Sequence, residues 1–279
     1  MKKYCPSAKY INGNTLISGV ENFDLEQTLD CGQAFRWSKL NKNSWHGIAL
    51  GRYMIIEHTD GNIILHDTEL SEYESKWKHY LDIERDYGEI IHIISADSTL
   101  AKAAKENFGI RILRQEPWEA LCSFIISQNN NIPRIKGIIE KLCENFGERI
   151  NGGYSFPAAE KIASLTPEDL APIRSGFRAR YIIDGAQKYL NGEIDIKLIK
   201  NSDTDTARAE LMKITGVGTK VADCVLLFGF SRIDALPKDV WIKRAIENYF
   251  GGAFPEIALP FAGIAQQYLF NYIRLQGDK

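Results

Sequence analysis

The sequence predicts an α+β fold, with an N-terminal antiparallel β-sheet domain followed by a helical bundle. Three observations carry this. Short apolar runs in the first 70 residues are separated by turn pairs, among them Asp60-Gly61, the strongest short hairpin signal. Beyond Ala96 the apolar spacing changes to that of helices, as in Ile135, Ile138, Ile139, Leu142, Cys143 and Phe146. A chain of 279 residues, 44% of them apolar, is also long enough for two domains with a substantial core.

Taken in order, Phe23, Leu25, Gln27 and Leu29 alternate with Asp24, Glu26 and Thr28, a period-two pattern that predicts a strand with one polar exception at Gln27. Gly32 breaks the pattern. Residues 34–37, 45–50, 53–58 and 62–66 follow as apolar runs, giving about five strands, and a helical stretch is expected from Glu69 to about Leu81. Pro117 marks a helix start with Trp118, Leu121, Cys122 and Ile125 on one face. The helix through Ile135 ends at Gly147 as a C-cap. Further helices are predicted over 178–190, 207–214, 219–230, 239–250 and 262–273. The expected domains are 1–112, with the sheet and flanking helices, and 113–279, with the helical region.

Composition narrows the function. Lys+Arg is 34 and Asp+Glu is 36, a net charge of −2, which excludes a polycation coating nucleic acid by bulk charge yet allows a local basic face. No apolar run approaches the roughly 18–20 residues that span a bilayer, and no apolar stretch follows the first lysines, so a cytoplasmic, non-secreted protein without membrane contact is expected. Five widely spaced cysteines without a C-x-x-C read as thiols, neither a disulfide framework nor a zinc site. All five histidines lie in the first third, so the helical region holds no His-based metal site or Ser-His triad.

The sharpest local signal runs from Ile214 to Cys224: Ile-Thr-Gly-Val-Gly-Thr-Lys-Val-Ala-Asp-Cys. A helix leads into it, Gly216 and Gly218 permit a tight turn, and a second helix starts near Thr219, making a helix-hairpin-helix over about 207–230. Amides at the new helix start suit an anion such as a phosphate. A P-loop would need Gly-Lys-Ser/Thr where Gly-Thr-Lys stands, and a dinucleotide fingerprint would need a glycine at Val221 and a preceding strand. A plain helix-helix turn with a solvated lysine remains open. Lys220, in the first turn of the new helix, is a candidate nucleophilic amine, with Cys224 on the same face. Asp239, after Pro237, reads as a helix N-cap that could also stabilise a developing cation.

Those residues, Gly-Val-Gly-Thr-Lys220-Val-Ala-Asp-Cys followed by Pro-Lys-Asp239-Val, resemble the helix-hairpin-helix DNA glycosylases, and more narrowly the 8-oxoguanine DNA glycosylase/lyases. Four further segments agree in the family's order: Cys-Gly32-Gln-Ala-Phe-Arg-Trp, Phe-Ile-Ile-Ser-Gln-Asn129-Asn-Asn-Ile, Gly-Phe177-Arg178-Ala-Arg-Tyr, and Ala-Gly-Ile-Ala-Gln266-Gln-Tyr-Leu-Phe270.

The resemblance implies excision of 8-oxoguanine, preferably opposite cytosine, after the nucleotide is flipped from the duplex. By resemblance, Lys220 attacks C1′ and forms a Schiff base that permits β-elimination, and Asp239 stabilises the sugar cation. The Gly32 carbonyl accepts the N7 proton that distinguishes 8-oxoguanine from guanine, whose N7 is an acceptor. Phe270 stacks on the base, Gln266 bonds its Watson–Crick edge, and Cys224 completes the recognition set. Asn129 fills the vacated gap, Arg134 and Arg178 read the orphaned cytosine, Phe177 wedges into the opposite strand, and Gly216, Gly218 and Thr219 meet the DNA backbone.

The sequence departs from the pattern at Trp241, where a phosphate-contacting histidine is common, at Lys238 beside Asp239, and at Pro133 before Arg134. No cofactor is required, and the resemblance implies at most a monovalent cation on the hairpin carbonyls around Gly216–Gly218. No iron–sulfur cluster is expected either, since no cysteine follows Cys224. The expected partner is duplex DNA, bound by a monomer. The alternatives are a monofunctional alkylpurine-type glycosylase, against which Lys220 argues, and a non-catalytic helix-hairpin-helix DNA-binding protein.

Overall fold

The computed structural model describes residues 4–277. The chain forms two compact units. The first comprises residues up to Gly47, Met54–Arg114 and those from Lys238 on; the second comprises Ile48–Tyr53 and Gln115–Pro237. The expected division at 112/113 thus falls close to one junction, but the C-terminal segment belongs with the sheet unit.

The sheet has six strands, not about five: β1 Ser7–Ile11, β2 Asn14–Ser18, β3 Trp37–Lys39, β4 Ser44–Ala49, β5 Arg52–Thr59 and β6 Asn62–Leu65, in the order β1-β2-β6-β5-β4-β3. β1 and β2 join through Asn12-Gly13, and β5 and β6 through Asp60-Gly61; both turn residues of each pair have positive φ (50 and 84, 49 and 71), as type I′ hairpins require. β1 escapes the sequence pattern because it is an edge strand exposed at four of its five positions, with no buried face to impose alternation. Ile17, Met54, Ile56, Ile63 and Leu65 supply the buried face.

The segment expected as a strand at 23–29 is instead a short helix, α1 Leu25–Leu29. Asp24 decides this: its side chain accepts from Gln27 N, and the buried Leu25, Thr28 and Leu29 then follow the i, i+3, i+4 spacing. Seven residues satisfied both periods, and the cap chose between them. The next stretch is helical as expected, running through α2 Leu70–Glu72, a π turn Tyr73–Trp77 and α3 Lys78–Tyr80. α4 Tyr87–Ile94 and α5 Ser98–Glu106 follow, each N-capped by an aspartate, Asp86 and Asp97.

The second unit contains α6 Pro117–Ser127, α7 Ile132–Phe146, a small hairpin of β7 Arg149–Ile150 and β8 Gly153–Tyr154, α8 Ala159–Ala163, a 3-10 turn Ala171–Ile173, α9 Arg178–Asn191, α10 Ile196–Asn201, α11 Thr204–Leu211 and α12 Thr219–Gly229. Gly147 ends α7 with φ −80, so no left-handed cap requires glycine there; a Cβ would instead lie 2.1 Å from the Ser155 carbonyl oxygen. The chain then adds α13 Val240–Phe250, a 3-10 turn Glu256–Phe261 and α14 Ala262–Gly277 to the first unit. Among the described residues no helix is long and apolar enough to cross a membrane.

Candidate active site

The helix-hairpin-helix lies in the second unit and is made by α11 and α12. Gly216 sits at the hairpin with φ +78, and a Cβ there would come within 2.3 Å of the Tyr181 ring, so both backbone and packing require glycine. Gly218 differs. It is the N-cap of α12 with φ −97, it is exposed, and a Cβ would meet nothing within 4 Å. No side chain caps this terminus, so the first amides of α12 are left for an outside acceptor. Thr219 is exposed beside them.

Lys220, the second residue of α12, is half-buried. Its Nζ donates to Ser127 Oγ at 3.2 Å and lies 5.5 Å from the centroid of the Phe124 ring, which itself stacks on Phe228 at 5.1 Å. Ser127 Oγ in turn donates to the Phe124 carbonyl at 2.8 Å. The amine is therefore held by the last turn of α6 through one neutral hydroxyl and an aromatic face. Cys224, one turn along α12, is a buried thiol.

The connection from α6 to α7 gives its three asparagines separate tasks. Asn131 caps α7 by accepting from Arg134 N at 3.0 Å, and Asn130 Nδ2 donates to the Ile126 carbonyl at 3.2 Å. Asn129 is exposed and left-handed, with φ 47, a conformation asparagine tolerates well. Its position is fixed by Arg178. Arg178 is 4% exposed, and its guanidinium donates to the carbonyls of Gln128 (Nε, 2.9 Å), Asn129 (Nη2, 3.2 Å) and Ser175 (Nη1, 3.1 Å). The donors expected on an orphaned base are here engaged by main chain. Burial, and after it the charge of Arg134, lowers the Arg178 pKa from its ordinary value. Arg134 is itself exposed. Phe177 is 54% exposed, its ring 4.5 Å from the Arg178 guanidinium and edge-on to Tyr181 at 5.6 Å.

The first unit brings together Gly32 and the helix that carries Gln266 and Phe270. Gly32 follows α1 with φ +80, between two fully buried neighbours. Gln33 Nε2 donates to the carbonyls of Thr28 and Arg111 at 2.7 and 2.8 Å, while its Oε1 accepts from Leu113 N at 2.9 Å. Burial pushes the Cys31 thiol up to about 11. On α14, Gln266 is 5% exposed and its Oε1 has no hydrogen-bond partner, whereas Phe270, one turn on, is half-buried. A buried amide oxygen with an unmet acceptor is costly unless something supplies the donor. Asp239 is the N-cap of α13, accepting from Ile242 N at 2.8 Å. Val240 and Trp241 beside it are 62% and 50% exposed.

Three further residues of consequence carry no local signal of their partners or only a faint one: Ser127, Gln33 and Gln267. Ser127 meets Lys220 only across two helices 93 positions apart, and nothing local signals this. Gln267, whose Nε2 donates to the Cys31 carbonyl at 2.7 Å, has a readable sign, since Gln267, Asn271 and Arg274 form a polar stripe at i, i+4, i+7 of α14.

A helical unit with this hairpin defines a class of DNA repair protein: the sequence profile of the HhH-GPD superfamily of base excision DNA repair proteins matches residues 122–253. The profile of the 8-oxoguanine DNA glycosylase N-terminal domain matches residues 15–121. The chain belongs to the 8-oxoguanine DNA glycosylase family. It is 35% identical to the Clostridium acetobutylicum 8-oxoguanine glycosylase/lyase solved with double-stranded DNA containing cytosine opposite 8-oxoguanine, over 99% of this chain and 100% of that one, with a TM-score of 0.90. It is 39% identical to MBOgg1, solved with a low affinity DNA ligand, over 98% and 99% of the two chains, with a TM-score of 0.91. It is also 34% identical to the N-glycosylase/DNA lyase of Saccharomyces cerevisiae over 79% of this chain, and spans 66% of that relative's length.

Proposed function

We propose that this chain excises 8-oxoguanine from duplex DNA and nicks the abasic strand, with Lys220 as nucleophile. The observation that carries this is the Lys220 amine at the start of α12, held by a neutral hydroxyl and a ring face in the hairpin of a glycosylase-family chain. In its neutral form Nζ attacks C1′ of the flipped nucleotide; the C1′–N9 bond breaks and its electron pair leaves with the base, which takes up a proton. The Nζ lone pair then forms the C1′=N bond as the C1′–O4′ bond breaks, and O4′ leaves with that bond's electron pair and takes up a proton, giving the protonated Schiff base. Loss of a C2′ proton then expels the 3′ phosphate. Asp239 supplies the negative charge that stabilises the cationic sugar while also capping α13.

Lesion selection is assigned to the Gly32 carbonyl, the Gln266 amide with its unpartnered oxygen and the Phe270 ring, with Cys224 beside the nucleophile. The exposed Asn129, Arg134 and Phe177 carry the contacts at the vacated site and its opposite base, preferably cytosine, with Arg178 supporting the loop from beneath. The open amides at Gly218 and Thr219 take a phosphate. The same reading includes a monomer acting in the cytoplasm without a required cofactor, and a monovalent cation on the hairpin carbonyls around Gly216. Among the described residues no cluster of His, Cys, Asp or Glu side chains could hold a metal ion.

The test is covalent trapping with sodium borohydride on an 8-oxoguanine·cytosine duplex. A trapped band lost in Lys220→Gln, with lesion binding kept, is the expected result. Full-rate excision by that variant would overturn the assignment.

A further inference from the structure

We propose that Gln267 is a positioning residue for lesion specificity, tying the turn that carries Gly32 to the helix that carries Gln266 and Phe270. This rests on the reading of that turn and helix as the lesion-base site.

The geometric demand is strict. A carbonyl that accepts one proton from the damaged base must be held to a few tenths of an ångström, because hydrogen bonds span only about 2.7–3.2 Å and fail beyond. Gly32 meets this demand poorly by itself: at φ +80, without a side chain, nothing of its own anchors it. Its neighbours must do so. The carbonyl one peptide earlier, that of Cys31, accepts Gln267 Nε2 at 2.7 Å, and the one before that, of Asp30, accepts Arg274 Nη2 at 2.7 Å. Asn271 Nδ2 donates to Gln27 Oε1 at 2.7 Å and to Asn107 Oδ1 at 2.9 Å. These donors lie at i, i+4 and i+7 of α14, so a single stripe of the helix binds α1 and the turn after it.

Gln266 and Phe270 immediately precede Gln267 and Asn271. The stripe therefore fixes both the register and the rotation at which the recognition pair is presented, together with the height of the Gly32 peptide. Gln267 and Asn271 are 3% and 1% exposed. Leucine at either place would serve a purely apolar core, so the buried amides are there for geometry.

The experiment compares single-turnover excision of 8-oxoguanine with nicking of a preformed abasic site, in the full-length protein and in Gln267→Met, a change of nearly equal volume without a donor. Nicking has no base to recognise, so it reports folding and the nucleophile alone. The expected result is excision reduced roughly three- to tenfold, the equivalent of one neutral hydrogen bond, with nicking unchanged within about twofold. Arg274→Met, which removes the Asp30 tie from a half-buried position, should show the same selective loss and stands in if Gln267→Met fails to fold. Equal losses in both reactions would make the tie merely structural and overturn the proposal, as would no loss in either. A wild-type protein that nicks abasic sites without excising 8-oxoguanine would instead remove the lesion-site reading on which the proposal rests.

Discussion

Replacing Asp239 by asparagine and by alanine separates two tasks that one carboxylate performs. Oδ1 accepts from Ile242 N at 2.8 Å at the first turn of α13, a helix that buries Ile242, Ala245 and Ile246. Asparagine caps as well as aspartate, so Asp239→Asn loses only the charge beside the helix N-terminus, about 0.3–1 kcal/mol. Alanine loses the acceptor as well, a further cost of about 1 kcal/mol. At roughly 2–4 °C per kcal/mol for a chain of this size, the asparagine variant should melt within about 4 °C of wild type and the alanine variant several degrees lower. Excision behaves differently. Both substitutions remove the charge that stabilises the cationic sugar, and preorganised electrostatics of this kind are worth about 10²–10³ in rate. Thermal denaturation followed by single-turnover excision on the same preparations reads both effects. Equal melting temperatures for the two variants would refute the cap, and wild-type excision by Asp239→Asn would refute the carboxylate's part in catalysis.

The two hairpin glycines should respond in opposite ways. Gly216→Ala forces a side chain into φ +78 against the Tyr181 ring and should lower the melting temperature by several degrees, reflecting more than about 1 kcal/mol. Gly218→Ala meets open space at an ordinary φ, so it should cost at most about 1 kcal/mol while weakening binding to undamaged duplex, measured by fluorescence anisotropy at low salt. Unchanged DNA affinity in Gly218→Ala would remove the phosphate contact from this terminus. Arg178→Met leaves the carbonyls of Gln128, Asn129 and Ser175 without donors and should destabilise the protein by about 2–4 kcal/mol, read by chemical denaturation. A variant of normal stability that altered only the preference for the opposite base would return Arg178 to the role of base reader.

The sequence by itself determined the α+β order, most helix spans, the hairpin and its lysine, and the family. Each depends on residues close together in the chain: Asp60-Gly61 specifies a type I′ turn, and the apolar spacing of 135–146 specifies a helix face. The hydrogen-bond capacity of Lys220 and Asp239 was likewise legible as residue type and helix position. Only the tertiary structure decided what those groups touch. It turned residues 25–29 into a helix through the Asp24 cap, paired β2 with β6 about 50 residues further along the chain, and set Ser127 under Lys220. It also drew Arg178 inward onto three main-chain carbonyls and bound α14 to the Gly32 turn through Gln267, residues 236 positions apart. Local preference fixes backbone dihedrals over a few residues. The partner of a buried polar group is chosen by whichever donor or acceptor the folded chain brings within about 3 Å, and that distance is written nowhere in the local sequence.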